Sequence, residues 1–159
     1  MSLSVWHGAP LAIVDTNVLI GQWMTELTGG GPMHILDGMR DGALPFVVCE
    51  VLVAEYRHVL LRPKVQQRHQ QAEPVVDAFL AKVAQHATVL EPASGHPSPD
   101  PGDQMLWDLL CARDDLHLIT IDKLLLKDRR MRGRVVTPEA FGAAWWQPCP
   151  ATRPTAADQ

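Results

Sequence analysis

Short apolar runs alternate along the chain with longer stretches in which apolar residues recur every three or four positions. LAIV (Leu11 to Val14), PFVV (Pro45 to Val48), TVL (Thr88 to Leu90), LHLIT (Leu116 to Thr120) and RVVT (Arg134 to Thr137) read as five short strands. Their lack of polar alternation suits a parallel sheet covered on both faces. Between them the helical period predicts helices over Met33 to Arg40, Glu50 to Leu61, Pro74 to about Ala87, Asp103 to Ala112, and Thr137-Pro138 through Trp145. Pro74 stands where a first helical turn tolerates proline, and Thr137-Pro138 is a cap-then-proline start. Gly29-Gly30-Gly31-Pro32 and Asp41-Gly42 mark turns, while Pro92, Pro97, Pro99 and Pro101 keep the stretch to Gly102 irregular. Strand and helix in alternation imply an α/β fold with right-handed crossovers. No repeat or internal boundary interrupts the pattern. Residues 1–146 therefore read as one domain, with a proline-rich tail from Gln147 that is expected to be flexible.

The chain of 159 residues is of single-domain size, and its 47% hydrophobic content excludes disorder over most of the length. Three cysteines, Cys49, Cys111 and Cys149, form no CxxC pair and suit a reducing compartment. No window approaches a membrane span, and the opening MSLSVWHGAP lacks the basic-then-apolar order of a secretory signal. A soluble, cytoplasmic protein is the expectation. The seven histidines show no paired ligand spacing. A net charge of −4 excludes a uniformly basic nucleic-acid binder.

In an open α/β sheet, ligands bind beyond the carboxyl ends of the strands. Asp15 follows the first strand directly, and Asp122 lies two residues past the LIT run, at the same edge. Asp103 precedes the apolar period of its helix. Glu55 falls within a helix among Val51, Leu52, Val59 and Leu60. Taken singly, each has an ordinary reading: a turn or cap for the aspartates, a partner of Arg57 or His58 for Glu55. Taken together, four carboxylates at one edge raise one another's pKa unless a cation joins them. An all-oxygen set favours a hard ion such as Mg²⁺ or Mn²⁺, which clamps a phosphate and activates water for phosphodiester hydrolysis. Asp100 reads as a solvated loop acid, with help in drawing in a metal as the alternative, Asp108 as facing away from Asp103, and Asp114 and Asp115 as turn residues.

The stretch AIVDTNVLI around Asp15 is an apolar strand followed by Asp-Thr-Asn. CEVLVAEYRHVLLRPKV carries Glu55, PDPGDQMLWDLL carries Asp103, LHLITIDKLLL carries Thr120 and Asp122, and VVTPEAFGAAW closes the series. In this order the blocks resemble the PIN-domain family of metal-dependent ribonucleases, over roughly Leu11 to Trp145. The resemblance implies a three-layer α/β sandwich with a central, mainly parallel five-stranded sheet flanked by helices. It also implies that Asp15, Glu55, Asp103 and Asp122 are the catalytic, metal-binding acids for one or two ions, with Asn17 and Thr120 in support. The Arg-Pro-Lys ending is similar to a bacterial subgroup, many of whose relatives are toxins held by a small antitoxin and form homodimers. Three positions depart from that subgroup: Ile121 replaces a usual Gly, Leu124 replaces a frequent Asp, and Cys49 replaces a Ser or Thr.

Lys123, Lys127, Arg129, Arg130, Arg132 and Arg134 place six bases within twelve residues, starting directly after Asp122. Such a run is either a solvated face or a strip that tracks phosphates, with Lys123, Lys127, Arg129 and Arg130 as candidate substrate contacts. A second group, Arg57, His58, Arg62, Lys64, Arg68 and His69, follows Glu55. Trp23 offers base stacking or helix packing, and Trp145-Trp146 a core or dimer contact. The reading is an Mg²⁺- or Mn²⁺-dependent endoribonuclease acting on single-stranded or structured RNA, with the toxin half of a toxin–antitoxin pair as one setting. No side chain stands out as a general base, which leaves activation of water to the ion. The alternative is a catalytically weak PIN-like module that binds RNA or a protein. An aspartyl phosphatase fits poorly, because Asn17 occupies the place of its second acid. Setting the four site acids aside leaves fourteen acids against fourteen bases, so the acidity is partly the site itself.

Overall fold

Residues 4–6, 8–31 and 34–148 are described by the structure, a computed structural model. The chain runs β1 (Ser4–Trp6), β2 (Ala12–Val14), α1 (Thr16–Leu27), α2 (His34–Asp41), β3 (Phe46–Val48), α3 (Glu50–Leu60), α4 (Pro63–His69), α5 (Glu73–Ala84), β4 (Thr88–Val89), a 3-10 turn (Pro101–Asp103), α6 (Gln104–Ala112), β5 (His117–Ile119), α7 (Lys123–Leu126), β6 (Val135–Val136), α8 (Pro138–Trp145) and β7 (Trp146–Pro148).

Each of the five apolar runs contains one strand of the central sheet, whose order is β4-β3-β2-β5-β6. Every pairing in it is parallel, with Ile13 beside Val47 on one side and Leu118 on the other. All residues of β2 and β3 are buried, as covering on both faces requires, whereas edge strand β4 is exposed. The chain lays β3 and β4 on one side of β2, then crosses to place β5 and β6 on the other. The carboxyl ends of β2 and β5 therefore flank the topological switch point, where ligands bind in open α/β sheets.

The predicted helices correspond to α2, α3, α5, α6 and α8, with small differences at their ends. Met33, the expected start of the first, lies outside the described residues. The buried face of α3 is Leu52, Tyr56 and Leu60, while Val51, expected to be buried, is exposed. Three further helices, α1, α4 and α7, complete the fold. Helix α1 buries Val18, Leu19, Ile20 and Trp23 and begins two residues after β2 ends, with Asp15 between them. Trp23 stacks on Phe79 of α5, with centroids 3.9 Å apart, which settles it as a packing residue. A separate antiparallel ribbon pairs β1 with β7, Ser4 opposite Pro148. Gln147 and Pro148 thus belong to a strand, where the proline content suggests a flexible tail; residues 149–159 lie outside the described part. No helix among the described residues is long and apolar enough to cross a membrane.

Candidate metal centre

Asp15 ends β2 and caps α1. Its backbone N–H donates to the Ile119 carbonyl at 3.0 Å, extending the β2–β5 ladder by one residue and setting Asp15 beside Thr120. The buried Thr120 hydroxyl donates to Asp15 Oδ2 at 2.7 Å, and the Thr16 N–H donates to Asp15 Oδ1 at 2.7 Å. Both carboxylate oxygens are thereby fixed in direction. Thr120 Oγ1 also accepts from the Asp122 N–H at 3.0 Å, joining the aspartates that follow the two neighbouring strands. Asp122 caps α7 by accepting from Leu124 N–H at 2.9 Å.

Glu55 arrives from α3. Its Oε2 accepts from the Thr16 hydroxyl at 2.7 Å, so Thr16 contacts Asp15 through its N–H and Glu55 through its side chain. The next residue, Tyr56, is buried and donates its hydroxyl to the Val14 carbonyl, which pins α3 to the end of β2. Burial, then the nearby Asp15 and Glu55 charges, raise the Tyr56 phenol well above 10, so it stays a neutral donor. Of the ordinary partners considered for Glu55, Arg57 is engaged elsewhere, with Glu73 and Asp77.

Asp103 closes the 3-10 turn and occupies the cap position of α6, yet its side chain makes no capping hydrogen bond. Its carboxylate is left for something other than capping. Asp100, read from sequence as a solvated loop acid, is half-buried and accepts from Gly102 N–H at 3.0 Å. One carboxylate oxygen from each of Asp100, Asp103 and Asp122 lies within 4.8 Å of the others.

The electrostatics follow from this crowding. Burial, then the charges of Asp15, Asp100, Asp122 and Glu55, push Asp103 from 3.8 to about 7. Burial also raises Asp15; the Thr120 and Thr16 hydrogen bonds lower it, and Glu55 and Asp122 add to the rise. Among the described residues, no ion pair engages any of these five acids. Oxygen donors only, mutual repulsion and an acid held near neutrality together fit a hard divalent cation.

Residues 12–124 match the family profile described as PIN domain, well over half of the chain. The chain belongs to the PIN-domain family. No curated protein gives a significant match. The four acids carried by the sequence blocks, Asp15, Glu55, Asp103 and Asp122, sit in this PIN domain as one linked group at the switch point. Thr16 and Tyr56 join them without having been singled out from sequence, and Asp100, weighed there against a loop role, joins them too. Thr16 is visible only as the middle of Asp-Thr-Asn, Tyr56 as the neighbour of Glu55, and Asp100 as the first acid of Asp-Pro-Gly-Asp.

Asn17 is exposed in the first turn of α1, two residues from Asp15. Lys123, Lys127, Arg129, Arg130 and Arg132 are exposed, whereas Arg134 is not a free base. Its guanidinium donates to the carbonyls of Leu116, Leu110 and Arg113, at 3.1, 2.7 and 2.6 Å, and ties α6 and β5 to the start of β6. In the second basic group, Arg57 is paired and His69 is buried with both ring nitrogens engaged, by the Leu60 carbonyl and the Gln71 N–H.

Proposed function

We propose that this PIN domain is a metal-dependent endoribonuclease. The observation that carries the proposal is the gathering of five carboxylates at the carboxyl edge of β2 and β5, in a family whose members are typically metal-dependent nucleases. Asp15, Glu55, Asp103 and Asp122, with Asp100 beside them, would hold one or two Mg²⁺ or Mn²⁺ ions. A bound ion of this kind neutralises charge on a phosphate and lowers the pKa of water.

The chain's own residues set the conditions for that chemistry. Thr120 and Thr16 hold the carboxylates of Asp15 and Glu55 in fixed orientation, which lowers the entropy cost of assembling the ligands. Asp103 must lose its proton to serve as a ligand, so ion affinity rises through pH 7. Asn17 is placed to meet a phosphate oxygen, and Lys123, Lys127, Arg129 and Arg130 are free to meet flanking phosphates. A small antitoxin partner and a homodimer belong to the same reading, supported by the similarity to a bacterial subgroup.

The test is cleavage of a mixed RNA pool with Mg²⁺, Mn²⁺ or EDTA, comparing wild type with Asp15→Asn. Ion-dependent cutting that drops at least about a hundredfold in the variant supports the enzyme, a loss on the order of 3 kcal/mol in the barrier. Equal cutting by both proteins points to a contaminating nuclease. RNA binding without cleavage favours a binding module.

A further inference from the structure

We infer that Tyr56 is a positioning residue of the acid site: its hydroxyl, held on the Val14 carbonyl, sets where the neighbouring Glu55 carboxylate stands and so tunes the affinity for a divalent cation. The inference rests on the metal-dependent reading above and adds to it a buried residue outside the group of acids. Asp15 and Asp122 follow strands and Asp103 closes a 3-10 turn, whereas Glu55 sits in mid-helix. Its place therefore depends on how α3 is seated on the sheet. Pairing between β2 and β3 ends at Ile13 and Val47, while on the other side of β2 the ladder to β5 runs on to Asp15. Ala12 donates to the Pro45 carbonyl on the β3 side, and the two-residue repeat of a strand turns Val14 the same way. There the Val14 carbonyl takes its donor from Tyr56.

Among the described residues, this is the one hydrogen bond between α3 and the central sheet. The start of the helix supplies no substitute, since Cys49 in the cap position makes no side-chain hydrogen bond. Leu52 and Leu60 share the buried face with Tyr56, but apolar contacts are non-directional and leave a helix free to roll or slide slightly. A hydrogen bond has a preferred distance and angle, and so fixes both. Glu55 stands one residue earlier, about 100° around the helix, and moves with it. Its carboxylate accepts from Thr16 on α1, while Asp15 is tied to β5 through Ile119 and Thr120. A shift of α3 therefore displaces Glu55 from the aspartates without disturbing how they are held.

Ion binding without RNA tests the inference apart from catalysis. Free Mn²⁺ is followed by electron paramagnetic resonance for wild type, Tyr56→Phe, Glu55→Gln and the double variant. Tyr56→Phe should bind Mn²⁺ about tenfold more weakly than wild type. In the Glu55→Gln background the same change should add nothing, because the tyrosine acts through that carboxylate. Leu60→Val loosens the same helix without removing a hydrogen bond, and should bind Mn²⁺ like wild type. Tyr56 is also the sole tyrosine of the chain, so fluorotyrosine labelling gives a single fluorine resonance. Mg²⁺ should shift that resonance in wild type and much less in Glu55→Gln. Equal Mn²⁺ affinity of wild type and Tyr56→Phe, the same loss in both backgrounds, or an equal loss in Leu60→Val overturns the inference. Where Tyr56→Phe fails to fold, the fluorine signal decides, and a resonance that Mg²⁺ leaves unmoved overturns it. Wild type that binds neither ion overturns the metal-dependent reading as well.

Discussion

Thr16 and Thr120 each use a single hydroxyl to hold a carboxylate, and they do so at positions where the backbone is already fixed by β2 and β5. Asp103 has no such partner, and its charge is opposed by burial and by four other acids. Its raised pKa means that the folded, ion-free protein binds a proton that the unfolded chain releases between pH 3.8 and about 7. This contribution to stability is fully present at the acid end of that window and is lost as pH rises through it. Asp103→Asn removes the titration. Thermal melts in EDTA across this range should therefore show the variant gaining stability relative to wild type as pH rises to 7, with no further gain above. Mn²⁺ should raise the melting temperature of wild type at pH 8 and do much less for Asp103→Asn. Parallel pH profiles in EDTA would contradict this account. Of the acids, Asp15, Asp103 and Asp122 were legible in the sequence because each stands at a strand end or a helix start, and Glu55 because it falls beside the apolar face of its helix. Thr16 was not, since a threonine after an aspartate has ordinary uses at most places it occurs, and Asp100 was legible only as one of two readings, because an acid in a proline-rich loop is commonly solvated.

At the scale of elements, the inner strands were legible because a strand buried on both faces must be apolar along its length, and exposed edge strand β4 because its short TVL run stands alone between a helix and a proline-rich stretch. Helix α1 was hidden for another reason: its apolar Val18, Leu19 and Ile20 are consecutive, and Gly21 and Gln22 follow before Trp23, so the segment shows little helical period. Helices α4 and α7, of seven and four residues, are too short to establish a period. The β1–β7 ribbon joins segments from opposite ends of the chain, which no local pattern records. The helical layer also decides the use of Trp23. Its ring lies flat against Phe79 and near His69 of α4, so one side chain joins three helices. Trp23→Ala should cost about 3–5 kcal/mol, seen as a lower urea midpoint with little change in m. A variant that unfolds like wild type would show that this stacking contributes little.

At the scale of the whole molecule, charge is unevenly placed rather than merely summed. Five acids that form no ion pair among the described residues gather around Asp103, and a group of exposed bases begins at the residue after Asp122, Lys123. Arg134 shows the limit of counting, since a base that looked like part of the strip instead satisfies three carbonyls. Charge reversal by Arg129→Glu/Arg130→Glu is expected to weaken single-stranded RNA binding and flatten its salt dependence. The slope should fall by about 1.4, at roughly 0.7 for each phosphate no longer neutralised. An unchanged slope in titrations from low to moderate salt would remove both residues from the binding strip.

The sequence by itself determined the α/β class and the parallel sheet, because burial on both faces leaves a local mark, and it named four candidate acids from strand ends, a helix start and the order of the motif blocks. Only the tertiary structure decided which groups hold those acids. Thr120 reaches Asp15 across 105 residues and Thr16 reaches Glu55 across 39, and hydrogen bonds over such separations exist only once the strands and helices have docked. The elevated pKa of Asp103 has the same origin, since repulsion among carboxylates depends on distances that no spacing in the chain prescribes.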